Sequence, residues 1–158
     1  MATTKIAPGQ VIETLTRPEL VHELDRYTAN WFQEKARGVT TFRANATDTV
    51  SGGAVTLPGP NEDILGPNAG FVWVVQSLRI FGLLSGDSVT VYRNSTGPQN
   101  FIYTLTGANP VVHFGSKSLI VKGDEKLIIT GTSLMATGDL TVNTEGLECA
   151  EPDLYKLV

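Results

Sequence analysis

The spacing of apolar residues changes period once along the chain, near residue 38. Before that point Leu20, Leu24, Tyr27 and Trp31 recur at intervals of four, three and four, with Val21 and Phe32 widening the stripe. This is one face of an α-helix, predicted over residues 16–38. Thr16 can cap its free amides, Glu19 three residues on can complete a capping box, and Leu15 can meet Leu20 as a hydrophobic staple. Pro18 falls in the first turn, where amides lack intrahelical partners, and Gly38 supplies the stop. Residues 1–15 show neither period and read as an extended arm. Their separated aliphatics, Ile6, Val11 and Ile12, suit a strap laid on a neighbouring subunit.

After residue 38 the pattern shortens to runs rich in Val, Ile, Thr and aromatic residues, separated by Gly, Asn, Pro and Asp. Such runs are strands joined by turns. Eight are expected, near residues 39–46, 48–57, 70–81, 87–93, 100–105, 110–121, 125–130 and 139–145. "SVTVY" and "DLTVNT" alternate, which places Val89 with Val91, and Leu140 with Val142, on one face. "GFVWVVQSLRIF" is apolar on both faces and belongs in the middle of a sheet. One sheet cannot cover this many apolar faces, so two sheets packed as a sandwich are predicted over residues 39–148. The fold class is therefore mainly β: a β-sandwich, jelly-roll-like, preceded by the arm and one amphipathic helix. Residues 149–158 carry Leu154, Tyr155, Leu157 and Val158 and are expected to dock as a tail. The loop from Pro58 to Gly70 is long enough to suggest function, and its Ile64 and Leu65 interrupt a polar stretch.

Composition narrows the choice of partner. Charged residues are 18% of the chain while Thr occurs 19 times, so surfaces are covered by hydroxyls more than by charges and suit packing against protein. A net charge of -4 with no block of Lys or Arg argues against nucleic acid. Cys149 is the single cysteine, which rules out an intrachain disulfide or a Cys-based zinc site. The first residues lack a signal-peptide pattern and no run approaches the ~20 apolar residues of a membrane span, so the expectation is a soluble product of the cytoplasm without a membrane partner.

Residues that could carry chemistry are few. Three Gly-Asp pairs, Gly86-Asp87, Gly123-Asp124 and Gly138-Asp139, each precede a β-rich run, and their uneven spacing fits turns rather than a calcium-binding repeat. His22 and His113 have no Cys, His or carboxylate at ligand spacing, so no metal or other cofactor is expected. No nucleophile elbow or phosphate loop is present, and Ser133 in "GTSL" reads as a turn residue. Glu62, Asp63, Glu125, Glu145 and Glu148 could supply a glycosidase pair from any converging strands, yet none is singled out. Trp73, Tyr92, Phe101 and Tyr103 could stack on sugars, or be core residues. No catalytic residue is assigned, and the chain is read as a non-enzyme.

The phrases "GFVWVVQSLRIFGLLSGDSVTVYRN", "KSLIVKGDEKLIITGT" and "GDLTVNTEGLE", preceded by "LTRPELVHELDRY", resemble small virion proteins of tailed bacteriophages, particularly those infecting actinobacteria. The likeness implies a virion structural protein: a capsid decoration or cement protein that binds the major capsid protein and copies of itself, as a homo-oligomer with three-fold clustering as one arrangement. The expected location is the virion. Leu20, Leu24, Tyr27 and Trp31, with Ile6, Val11 and Ile12 of the arm, are the expected contact residues. The rival expectation is a minor tail protein, a carbohydrate-binding or host-recognition module.

Overall fold

The computed structural model describes residues 38–115 and 119–157. The predicted arm and helix, with Ile6, Val11, Ile12, Leu20, His22, Leu24, Tyr27 and Trp31, lie outside the described residues. What is described belongs to one compact unit, Gly38–Val158. Its nine strands are β1 (Thr40–Thr49), β2 (Val55–Leu57), β3 (Phe71–Phe81), β4 (Ser88–Arg93), β5 (Phe101–Thr106), β6 (Val111–His113), β7 (Leu119–Lys122), β8 (Leu127–Gly131) and β9 (Asp139–Ala150).

They form two antiparallel sheets. The first runs β1-β9-β3-β6, with β7 pairing the other half of the β3 edge, and the second runs β2-β8-β4-β5. The pairings are nested: β1 with β9, β2 with β8, β3 with β6 and β7, and β4 with β5. Inward residues of both sheets meet in one hydrophobic cluster, which includes Trp73, Leu78 and Ile80 from β3, Val142 from β9, Val91 from β4 and Ile129 from β8. The chain is thus mainly β, with two sheets sharing one core.

Three strand boundaries differ from expectation. The first break falls after Thr49 rather than at Thr47, because Gly52-Gly53 makes the tight turn closed by the Ser51–Ala54 bridge. The single strand expected over 110–121 is two, β6 and β7, which pair Ser77–Arg79 and Val72–Val75 of β3 respectively. The last strand also runs further than expected, to Ala150, and carries Cys149 into a buried position opposite Val72. A 3-10 turn, Glu151–Lys156, then folds back against β9 and β3, leaving Leu154 and Leu157 half-buried and Tyr155 exposed.

β3 contains the irregularity that shapes the outer surface. Val75 pairs with Gly146 and Ser77 with Glu145, so Gln76 is an extra residue, a β-bulge. Up to the bulge the odd residues Trp73 and Val75 face the core; after it the even residues Leu78 and Ile80 do. Strict alternation would have sent Ser77, Arg79 and Phe81 inward. The bulge turns them to the outer face.

Candidate functional site

The carboxylates named from sequence are spent separately. Glu62 accepts the Thr47 amide at 2.9 and 2.8 Å and the Gly59 amide at 3.2 Å, stopping the open edge of β1. Glu148 accepts the Trp73 indole N–H at 2.7 Å. Glu125 accepts the Lys122 amide and pairs with Arg93 at 3.6 Å. Asp63 and Glu125 do share the rim of a wide depression at one loop end, with Ile64 beside them. Glu125 is already engaged there, and among the described residues no group of three or more His, Cys, Asp or Glu could hold a metal ion. Among the described residues no acid and nucleophile pair stands out.

The Gly-Asp pairs are turns and clamps. Gly86 and Gly138 adopt φ of 101° and 93°. Asp87 is 2% exposed and accepts three backbone amides, from Leu84 at 3.0 Å, Met135 at 2.6 Å and Ala136 at 3.1 Å. Those three donors hold its carboxyl below the usual carboxylate range. Asp139 accepts the Thr49 hydroxyl, and Ser133 takes a turn conformation with φ 58°. The long loop divides its two aliphatics: Leu65 enters the core while Ile64 is 67% exposed.

The aromatic residues divide as well. Trp73 is buried and stacked on Phe42, with centroids 4.1 Å apart and planes 10° apart, so it is no sugar platform. Tyr92 is half-buried with its ring edge-on to Phe101, whereas Phe101 and Tyr103 on β5 are 54% and 46% exposed.

The outward faces of the two sheets differ in chemistry. On β2-β8-β4-β5 the register aligns Thr56, Thr130, Thr90 and Thr104 in one row across all four strands, and Ile128, Tyr92 and Phe101 in the next. No charged side chain interrupts these rows.

The other face is charged. One row across the first sheet reads Arg43, Glu145, Ser77, His113, and the next reads Asn45, Asn143, Arg79, Val111. All of these but Asn45 line, together with Phe81, a concavity of about 290 Å³. Ser77 Oγ donates to Glu145 Oε1 at 3.0 Å and Arg43 Nη2 pairs with Glu145 Oε2 at 3.2 Å. Both interactions favour the ionised carboxylate and hold its pKa below the ordinary value. Arg79 makes no hydrogen bond or ion pair among the described residues; its guanidinium lies over the Phe81 ring, 5.5 Å from the centroid. Of this group, the sequence alone singles out only Glu145 and His113. Arg43, Ser77, Arg79 and Asn143 carry no motif, and only register unites them.

No family model matches the chain, and no curated protein matches it in sequence. Among the solved structures that share a partial likeness are the following two. One is the Drosophila NLP core, described in terms of pentamer formation and histone binding: 13% identity, 68% of this chain, 96% of that one, TM-score 0.34. The other is a Bacillus endospore appendage, of a family of disulfide-linked pili: 16% identity, 68% of this chain, 87% of that one, TM-score 0.33. At such scores the likeness carries nothing about what this chain does.

Proposed function

We propose that this chain is a non-enzymatic structural protein of a tailed-phage virion, a capsid decoration protein built as a jelly roll. Its partners are the major capsid protein and other copies of itself, in a homo-oligomer. The nested strand pairing supports the jelly-roll reading, since a folded double ribbon gives that order, and the architecture is common among capsid and lectin domains. The phrases shared with small virion proteins support the virion. The observation that carries the assembly role is the uncharged Thr56-Thr130-Thr90-Thr104 row with Tyr92, Ile128 and Phe101 beside it. Burying such a face removes no ion from water, so its desolvation is cheap beside that of the opposite, charged face. Repetition over a shell lets weak contacts sum.

The test is the protein's copy number in purified particles, counted against the major shell protein. Hundreds of copies support decoration and a handful supports a tail position. Absence from particles overturns the virion reading.

The second reading, a carbohydrate-binding module of the tail, has one specific observation in its favour. The Arg79 concavity holds polar side chains that make no hydrogen bond or ion pair among the described residues, beside an exposed aromatic ring.

A further inference from the structure

From that concavity we infer a binding site for a carboxylated saccharide, with Arg79 as the carboxylate-binding residue. The inference rests on the second reading above and names its site and ligand class. Arg79, His113 and Asn143 sit on three neighbouring strands, Arg79 directly opposite Asn143 and diagonal to His113. Among the described residues none of these three side chains makes a hydrogen bond or ion pair. Direct and diagonal cross-strand neighbours stand roughly 5–8 Å apart, and β3 lies between the other two strands, so a ligand seated on Arg79 can reach to Asn143 on one side or His113 on the other.

Charge selects an anion. Glu145 pairs with Arg43 and also feels the charge of Arg79, so the two arginines less the one carboxylate leave the cluster a single positive charge, on a chain whose net charge is -4. Stacking on Phe81 restrains the Arg79 guanidinium and leaves its planar N–H fork free for a bidentate carboxylate. Shape selects a sugar. At about 290 Å³ the hollow lies at the lower edge of the roughly 300–1,000 Å³ range of small-molecule sites, room for one ring and too little for a docked helix. Phe81 and Val111, 38% and 37% exposed, offer an apolar lip for the C–H face of a sugar ring, while Asn143 and His113 can bond its hydroxyls. An acidic peptide would use the guanidinium and leave the lip without purpose.

The test titrates the full chain with trigalacturonate, with the matching neutral galactose trimer and with a glutamate oligomer, followed by calorimetry. Trigalacturonate is expected to bind at least about ten-fold more tightly than the neutral trimer, and Arg79→Gln to lose about ten-fold or more, the scale of one charge-assisted contact. Phe81→Ala is expected to weaken binding too. Both residues lie on the outer face, and a melting curve verifies each variant's fold. Tighter binding of the glutamate oligomer, or trigalacturonate binding unchanged in Arg79→Gln, overturns the site. If saccharides bind but the affinity is lost in Phe101→Ala or Tyr103→Ala instead, glycan recognition survives and this site does not. If no saccharide binds, both fall.

Discussion

Asp87 shows how a residue that looks like a ligand can be a clamp. Its carboxylate is acceptor to three amides from two loops, 84 on one side and 135–136 on the other. Because its pKa in the folded protein lies below the unfolded value of about 3.9, the stabilisation is complete above that value and is lost as pH falls through the folded one. Urea midpoints measured from pH 6 downward should therefore fall below about pH 4, and Asp87→Asn should flatten that limb while lowering stability at pH 6. An unchanged acid limb in the variant would assign the loss to another group. Gly146 makes a different kind of demand. A Cβ there would lie 2.1 Å from the Val74 carbonyl oxygen and 3.0 Å from the Gln76 amide, both backbone atoms that cannot swing aside. Gly146→Ala is expected to cost about 3 kcal/mol or more, read by chemical denaturation, because the bulge itself must shift.

Among the elements, β8 and β3 represent two degrees of legibility. The "LIITG" run alternates inward Leu127 and Ile129 with the half-buried Ile128 and Thr130. Its faces can be named from sequence. Ile129→Ala should cost about 2–5 kcal/mol, whereas Thr130→Ala on the outer face should stay within about 0.5 kcal/mol, both by denaturant titration. Equal effects would mean that the outer face is not free in solution. β3 keeps no such alternation: Val72 and Val74 are buried on the face away from the inter-sheet cluster, and the bulge at Gln76 reverses the parity downstream. No local pattern announces that reversal, and the placement of Arg79 depends on it.

For the whole molecule, the two outward faces divide the proposed roles: hydroxyl rows for assembly on one sheet, a cluster with one excess positive charge on the other. Thr90→Lys combined with Thr104→Lys places charges on the assembly face without touching the core. It should reduce association with purified shells by at least about ten-fold in a co-sedimentation assay, because each ammonium must be stripped of water to be buried. Retained association would move the contact to another surface. By itself the sequence determined the mainly β class, most strand positions, the turn use of the Gly-Asp pairs and the apolar faces of strands such as β8. All of these follow from local periods and from the backbone preferences of single residues. The tertiary structure decided the rest: the splitting of β6 from β7, the separate engagement of Glu62, Glu125, Glu145 and Glu148, the alignment of four threonines, and the meeting of Arg79 with Asn143 and His113. Pairing partners and register depend on contacts between residues far apart in the chain, and a one-residue bulge exchanges inside for outside over half a strand.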